Sequence, residues 1–268
     1  MNDICLITGD HPRHLYFAKS LAESGRIACW VIETREHFVP APPANIDPHL
    51  RDLFDEHFAK RENTEMKFFG NTRISDVGIP YMQVTKESLN ARQTAEFIAK
   101  HQSKLVISYG CHKLQPNFMA AVSATFWNTH GGLSPQYRGV ATHFWPSYFL
   151  EPQMTGMTLH ETTSQLDGGG ILFQTAAPLV RGDTLHALAA RNVEYYAMQL
   201  SEKLNALDVC NLPSPIKQKT YGKVFMAKDW RPEHLRLIYD VYGDSIVDLV
   251  LDSELRGREP ELLSAFDE

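Results

Sequence analysis

The residue types that could do chemistry concentrate between Asn128 and Gly170, where the sequence reads NTHGGLSPQYRG, then GMTLH, then QLDGGGIL. Asn128 supplies a carboxamide, His130 an imidazole and Asp167 a carboxylate. Attack of an amine on an acyl carbon creates an oxyanion and requires the nitrogen to lose a proton, so it calls for a hydrogen-bond donor and a proton-handling group. Residues two apart on a strand point to one face. Asn128 and His130 can therefore address one carbonyl, with Asp167 orienting or charging the imidazole.

These motifs also have plainer interpretations. An isolated Asn-x-His is more often a capped turn beside a core histidine than a catalytic pair. The Asp-Gly-Gly-Gly run that begins at Asp167 could be a turn in which the aspartate bonds its own backbone. The strand pattern of residues 156–162 leaves a structural role open for His160. The co-occurrence of the three groups favours a catalytic site.

Metal chemistry is disfavoured by the spacing of its usual ligands. His130, His143 and His160 lack the short separations that specify zinc, and the four cysteines form no Cys-x-x-Cys pair. We therefore expect a site without a metal. Arg138 follows a proline turn and has two open readings, a structural ion pair or a contact to a phosphate or carboxylate of the substrate.

The elements that must position these groups alternate between strands and helices. The apolar run 4–8 predicts a strand, helical spacing follows within 15–27, and 28–32 returns to strand character. The pattern recurs as a helix over 93–101 and a strand over 105–109, and a further short strand is predicted at 126–129. We expect an α/β fold with a Rossmann-like, mostly parallel sheet and helices on both faces, whose strands deliver functional groups at their carboxyl ends.

Three segments complete the predicted layout. Residues 49–62 form an amphipathic insertion, and 185–207 carry a long helical pattern that two prolines within 211–215 interrupt. We expect a catalytic domain over 1–210 and a small C-terminal extension over 211–268 that contacts substrate or serves dimerisation. The turn after the first strand lacks G-x-G-x-x-G, which disfavours a nicotinamide enzyme.

Together, Asn-x-His, the Leu-x-Pro-x-Tyr-Arg-Gly stretch, Gly-x-Thr-x-His and Leu-Asp-x-Gly-x-Ile-Leu resemble the folate-dependent formyltransferases, most clearly from about Leu105 to Leu179. The resemblance implies that Asn128, His130 and Asp167 form the catalytic set. It also implies 10-formyltetrahydrofolate as donor. The family commonly has Pro-Ser after the catalytic histidine, whereas this chain has two glycines there.

The resemblance further implies where the two substrates bind. The donor is expected between the segment after the strand 105–109 and the loop before the catalytic aspartate, and the acceptor near the first turn. The donor-binding positions are Cys111, His112, Leu114, Thr163, Ser164 and Gln165, and the substrate-binding positions are Gly9, Asp10 and Arg138. Cys111 has no activating partner in the sequence, so it is expected to serve packing or backbone contacts rather than to act as a nucleophile.

Bulk properties limit the partners. The chain has 268 residues, 43% of them hydrophobic and 22% charged, which is ordinary globular composition. Binding to nucleic acid requires positive charge that neutralises phosphates, so the net charge of −6 disfavours a nucleic-acid partner. The start lacks the apolar run of a secretory signal and no stretch approaches a membrane span. We expect a cytoplasmic enzyme with a small-molecule amine substrate, and leave a homodimer open.

The acceptor is predicted by elimination. Glycinamide ribonucleotide formyltransferases place a Gly- and Ser-rich phosphate loop where this chain has DHPRH, and methionyl-tRNA formyltransferases carry a larger C-terminal domain than the 55 residues after Pro213. Formyltetrahydrofolate hydrolases usually add an N-terminal regulatory domain. A nucleotide-linked amino sugar is therefore the expected acceptor. The alternatives are another small amine, methionyl-tRNA, or a noncatalytic folate-binding protein that keeps the fold.

Overall fold

The computed structural model describes residues 2–35, 40–219 and 222–266. The strands in these ranges are β1 (Ile4–Gly9), β2 (Ile27–Glu33), β3 (Tyr81–Val84), β4 (Leu105–Tyr109), β5 (Thr125–His130), β6 (Tyr137–Gly139), β7 (Met157–Glu161), β8 (Ile171–Thr175) and β9 (Lys223–Phe225). The α-helices are α1 (Pro12–Ala22), α2 (Pro48–Phe69), α3 (Arg92–Lys100), α4 (Pro116–Val122), α5 (Trp145–Tyr148), α6 (Leu185–Asn205) and α7 (Ile246–Leu251).

The central sheet has the strand order β3-β2-β1-β4-β5-β7-β8. The first five strands are parallel, β7 runs antiparallel to β5, and β8 runs antiparallel to β7. Every residue of β1, β2 and β4 is buried, as expected of parallel strands covered on both faces. The predicted Rossmann-like, mostly parallel sheet is confirmed.

Helices cover both faces of the sheet, and alternate strand residues pack against each. Leu6 and Ile107 join a buried cluster with α1 and α6, which includes Phe17 and Tyr196. Their strand neighbours belong to a second cluster with α3 and α4. The side chains of that second cluster include Ile7, Val106, Ile98, Phe118 and Phe126. The predicted helices 93–101 and 185–207 correspond to α3 and α6.

The predicted insertion 49–62 is the first part of the longer helix α2. Asp47 caps this helix by accepting from the backbone N–H groups of His49 and Leu50, and Pro48 occupies its first turn. Phe54 and Phe58 pack in a third cluster with residues from the C-terminal part of the chain, while Phe69 at the other end joins the cluster under α1. The helix thus forms a wall of the molecule.

The segment after residue 210 makes β-type backbone pairings with the rest of the described fold at three places. Strand β9 pairs in parallel with β6, Ile216 bridges to Ile171, and Ser264 bridges to Phe173. The two bridges place short pieces of this segment along β8. The division at 210/211 stays a prediction. None of the helices in the three described ranges combines the length and apolarity needed to cross a bilayer.

Candidate active site

Strand β5 places Asn128 and His130 on one face of the sheet, as the sequence spacing predicts. In register, Asn128 lies between Ser108 of β4 and His160 of β7. Trp127, the residue before Asn128, packs on the opposite face in the cluster under α1. The three strands therefore gather polar side chains on one face next to the carboxyl end of β5, where functional groups collect in open α/β sheets.

Asn128 is held by a hydrogen-bond chain that crosses the three strands. Ser108 Oγ donates to Asn128 Oδ1 at 2.9 Å, and Asn128 Nδ2 lies 3.2 Å from His160 Nε2. His160 Nδ1 donates to the carbonyl of Glu161 at 2.7 Å. Because a carbonyl only accepts, Nδ1 of His160 carries a proton. One N–H of Asn128 Nδ2 is directed at His160. Because the carboxamide is fixed, the direction of its second N–H is also fixed.

His130 lies between a backbone carbonyl and a carboxylate. Its Nε2 donates to the carbonyl of Tyr137 at 2.8 Å, and its Nδ1 is 3.5 Å from Asp167 Oδ2. Burial lowers the pKa of His130, and the opposing effect of Asp167 does not offset this. The resting imidazole is therefore neutral near pH 7. A proton gained at Nδ1 would face the carboxylate.

Asp167 is fixed by its backbone and by its carboxylate. Its φ of +47° lies in the left-handed region that aspartate tolerates better than most residues. Oδ2 accepts from the N–H of Gly139 at 2.9 Å, and Oδ1 lies 3.5 Å from His160 Nε2. Burial by itself would raise the pKa of Asp167, but His160, His130 and the Gly139 N–H together lower it to about 2. The carboxylate is ionised in the folded protein at neutral pH.

The two glycines that depart from the family pattern have a steric reason here. A Cβ at Gly132 would lie 2.6 Å from the Tyr137 carbonyl oxygen and 2.8 Å from His130 Nε2. It would therefore push into the hydrogen bond that orients His130. A Cβ at Gly131 would meet the His143 ring at 3.3 Å. The glycine pair lets the loop close tightly over the imidazole.

A cavity of about 700 Å³ opens beside His130. Its size falls within the range of small-molecule binding sites, roughly 300–1,000 Å³. Helices α1, α2 and α6, the loop after β6 and residues 227–232 form its walls. The polar and aromatic side chains among the lining are Arg13, His14, Phe54, His57, Phe58, Arg61, Glu65, Phe69, Tyr109, His130, Thr142, His143, Phe144, His186 and Trp230.

The predicted donor-binding positions after β4 are largely engaged within the protein. The backbone N–H of His112 donates to the buried Glu33 carboxylate at 2.8 Å, and His112 Nδ1 lies 2.6 Å from the same group. Leu114 is buried in the cluster under α3 and α4. Burial, with a smaller contribution from Glu33, raises the pKa of Cys111 to about 12, so its thiol is protonated. The side chains of Cys111 and His112 are both half-buried.

The other predicted donor-binding positions are more accessible. Thr163, Ser164 and Gln165 lie in an exposed loop, and the side chain of the following residue, Leu166, is 51% exposed. This loop leads directly into Asp167. It therefore offers polar groups and an apolar side chain to a ligand next to the carboxylate.

The predicted acceptor-binding positions lie at two different places, since Gly9 and Asp10 are neighbours at the end of β1 and Arg138 is in β6. The Asp10 carboxylate accepts from the backbone N–H of Arg35 at 3.0 Å, and the backbone of Gly9 packs against the His14 ring. Arg138 is buried, and its Nε donates to the carbonyl of Leu166 at 3.1 Å. Arg138 thus supports the loop before the aspartate, and its contact with substrate stays a prediction.

The structure adds residues that the sequence reasoning did not place in the site. The sequence leaves a structural role open for His160, and in the structure this side chain contacts both Asn128 and Asp167. Ser108 has no motif of its own, although its position at the end of a predicted strand beside β5 was a signal. Gln218 donates to the Asp167 carbonyl at 2.9 Å from beyond the predicted domain boundary. Within the described ranges, no group of three or more His, Cys, Asp or Glu side chains is arranged to hold a metal ion.

The fold is an α/β fold with a mostly parallel sheet, and comparison with known sequences identifies the family of the protein. The family described as formyl transferase matches residues 58–203, which is more than half of the chain. The protein belongs to the formyl transferase family, and the resemblance seen in the sequence is confirmed.

Individual relatives are distant. A methionyl-tRNA formyltransferase from Koribacter versatilis is 27% identical over 158 residues, which cover 57% of this chain and 50% of that protein. The chain spans between 26% and 60% of the length of the first curated relatives that it matches. At the level of structure, a sugar N-formyltransferase from a Shewanella species aligns with a TM-score of 0.55 and 17% identity, covering 89% of this chain and 87% of that one. A sugar 3N-formyltransferase crystallised in the presence of dTDP and 5-N-formyl-THF aligns with a TM-score of 0.54 and 17% identity, over 90% of this chain and 81% of that one. Both structural likenesses concern the fold.

Proposed function

We propose that the protein transfers a formyl group from 10-formyltetrahydrofolate to a primary amine on a small molecule, and that the amine belongs to a nucleotide-linked amino sugar. The observation that carries the proposal is the convergence of Asn128, His130 and Asp167 on one face of the sheet, with His130 also lining a cavity of about 700 Å³. Membership of the formyl transferase family supports the reaction class.

In the proposed reaction, the acceptor nitrogen bonds to the formyl carbon and the bond from that carbon to N10 of the folate breaks. The fixed carboxamide of Asn128 donates its second N–H to the developing oxyanion. His130, neutral at rest, takes the acceptor proton at Nδ1, where the Asp167 carboxylate 3.5 Å away stabilises the imidazolium. The proton then passes to N10, which gives tetrahydrofolate and the N-formyl amine.

The donor is proposed to bind at the exposed loop 163–166, which precedes Asp167. A folate has a planar ring with several hydrogen-bonding groups, and this loop presents three polar residues and the half-exposed Leu166 next to the carboxylate. The segment after β4 contributes its backbone near Cys111, since the side chains of His112 and Leu114 are engaged elsewhere. The predicted positions therefore fit the donor unequally.

The acceptor proposal rests on the cavity. Its aromatic side chains, which include Phe54, Phe144 and Trp230, suit a ring such as a nucleobase or sugar, and its volume suits a ligand of that size. The fold is shared with sugar N-formyltransferases over 89% and 90% of this chain, which is consistent with this acceptor. Another small amine, or methionyl-tRNA, is the second candidate. The predicted C-terminal extension is proposed to contact the acceptor, because Trp230 and Pro232 line the same cavity.

The test is a formyl-transfer assay with 10-formyltetrahydrofolate and a panel of amines, in which tetrahydrofolate release and the formylated product are both measured. The panel contains nucleotide-linked amino sugars, free amino sugars, amino acids and methionyl-tRNA. We expect product with a nucleotide-linked amino sugar. Folate binding without any acceptor-dependent turnover would support the noncatalytic alternative, and release of formate without acceptor would support a hydrolase.

A further inference from the structure

The far wall of the cavity contains buried polar atoms that native proteins rarely leave unsatisfied. The His14 side chain is 2% exposed, and neither of its ring nitrogens has a hydrogen-bond partner among the residues that the structure describes. The ring packs on the backbone of Gly9 and Gly110, where β1 and β4 end. Glu65 Oε2, from α2, is also buried and unpartnered within those ranges. Both residues line the cavity, so a ligand in it could satisfy them.

Two arginines from different helices meet at Glu65. Arg13 Nη1 of α1 lies 2.5 Å from Glu65 Oε1, and Arg61 Nε of α2 lies 3.4 Å from the same oxygen. Both guanidinium groups line the cavity with Glu65. A guanidinium is suited to phosphate and carboxylate oxygens because its N–H groups form a fixed fork. The carboxylate of Glu65 shows the contact that an external oxyanion could make with this pair.

The charge of this wall is carried by its arginines and Glu65, because the histidines on and near the wall are neutral. Burial lowers the pKa of His11 to about 4, that of His143 to about 4 and that of His57 to about 3. Burial also lowers the pKa of His14. Among the lining residues that the structure describes, the charges that remain at pH 7 are the two guanidinium groups and the Glu65 carboxylate.

We propose that Arg13 and Arg61 bind an anionic group of the acceptor, a phosphate or a carboxylate, and that Glu65 serves as the counter-ion which this group displaces. The inference deepens the proposed function, because it takes the cavity beside His130 as the acceptor site. When the bound anion displaces the Glu65 carboxylate from the two arginines, this carboxylate can accept a hydrogen bond from the His14 imidazole, which lines the same cavity. The positive wall also lowers the pKa of a nearby acceptor ammonium group, which increases the fraction of reactive neutral amine.

The inference predicts opposite effects for the two partners of the ion pair. Binding of inorganic pyrophosphate and of malonate is measured by calorimetry, without folate, for wild type, Arg61→Gln and Glu65→Gln. We expect Arg61→Gln to weaken the preferred anion by about tenfold or more, because a charge-assisted hydrogen bond is lost. We expect Glu65→Gln to tighten it severalfold, because the competing carboxylate is gone. A preference for pyrophosphate indicates a phosphate-bearing acceptor, and a preference for malonate indicates a carboxylate-bearing one.

The helix α3 offers a matched control. Arg92 and Glu96 form the same type of i,i+4 pair with Arg92 Nε 2.6 Å from Glu96 Oε1, but both side chains are exposed. Arg92→Gln and Glu96→Gln should leave both dissociation constants unchanged. Circular dichroism checks that each variant is folded, and Arg13→Gln provides a second arginine variant if Arg61→Gln does not fold.

Unchanged anion binding in both arginine variants, or weaker binding in Glu65→Gln, would overturn the inference. Formyl transfer to the amine panel is measured separately with the same proteins. Transfer that occurs with no anion effect refutes the arginine site alone. Anion effects of the expected signs with no transfer to any amine refute the proposed function and leave the anion site standing.

Discussion

The two sides of the cavity differ in how their polar groups are satisfied. On the sheet side, Asn128, His130 and Asp167 are held by other parts of the protein, with partners on strands β4, β6 and β7. On the helix side, His14 and Glu65 keep buried polar atoms without a partner in the described part of the chain. Groups that stabilise a transition state must be oriented before the substrate arrives, so the protein itself must support them. Groups that select a substrate can leave their hydrogen bonds for it to complete.

The difference suggests that the sheet side carries out the chemical step and that the helix side selects the substrate. The sheet side carries the residues by which the sequence resembles its family, whereas the helix side is built from α1, α2 and the segment after β9. We therefore expect changes on the sheet side to affect the rate of the chemical step, and changes on the helix side to affect binding and stability.

The largest effect is expected on the sheet side. Asn128→Ala and His130→Ala should each lower single-turnover formyl transfer by about two to three orders of magnitude, because each removes a group that acts on the tetrahedral intermediate. Asp167→Asn should lower it comparably, since the imidazolium loses its counter-ion. Asp252→Asn, in an exposed ion pair with Arg181, is the control and should transfer formyl at the wild-type rate. Rates within a few fold of wild type for all three site variants would exclude this catalytic set.

A glycine exchange tests how the sheet side is held together. Gly139 has a φ of +98°, donates its N–H to Asp167, and would place a Cβ 2.2 Å from the Phe225 carbonyl oxygen. Gly182 also has a positive φ, +83°, but a Cβ there would meet nothing within 4 Å. Gly139→Ala should therefore reduce the free energy of unfolding by up to about 3 kcal/mol more than Gly182→Ala does. Chemical denaturation of the two variants measures the difference, and equal losses would contradict the close packing of β6 on β9.

The helix side predicts an acid sensitivity of folding. His57 is buried and its pKa is lowered to about 3, so the unfolded chain binds a proton at this residue below about pH 6.5 while the folded protein does not. Stability from His57 is therefore present above pH 6.5 and is lost as the pH falls towards 3. His57→Phe should reduce the loss of unfolding free energy between pH 7 and pH 5 by about 2 kcal/mol.

Urea denaturation at the two pH values measures this slope. The same loss in the His57 variant as in wild type would mean that this ring is protonated in the folded protein.

The smallest effect concerns His160, which touches Asn128 and Asp167 and is proposed to position them. His160→Ala should lower kcat about tenfold, which corresponds to about 1.4 kcal/mol, with little change in the KM of the acceptor. His160→Gln should recover part of kcat, because a side-chain oxygen can accept from Asn128. A rise in KM at constant kcat would assign His160 to binding instead.

The sequence allowed much of the sheet side to be predicted. Buried parallel strands are continuous apolar runs, so β1, β2 and β4 could be recognised locally, and the Asn-x-His spacing followed from the two-residue period of β5. His160 could not be assigned because its contact with Asn128 depends on the antiparallel return of β7, and strand order is not a local property.

The helix side was less predictable because its polar residues resemble a solvated face. Arg61 and Glu65 have the i,i+4 spacing of an ordinary surface pair, and only the packing of α2 against α1 turns them towards the cavity. The predicted insertion ended at residue 62, before the helix reaches Phe69, since the charged residues in between hide its apolar period. The role of Trp230 depends on the path of a distant segment.

The two short bridges along β8 also affect how the protein behaves at high concentration. Ile216 and Ser264 occupy positions on β8 that a strand of another molecule would otherwise use. At the opposite end of the described sheet, β3 pairs with β2 and shows the half-exposed side chain of Tyr81. Exposed strand edges are the usual starting points for aggregation. Intermolecular strand addition should therefore begin at β3, which makes a lysine or proline in β3 the first choice for improving solubility.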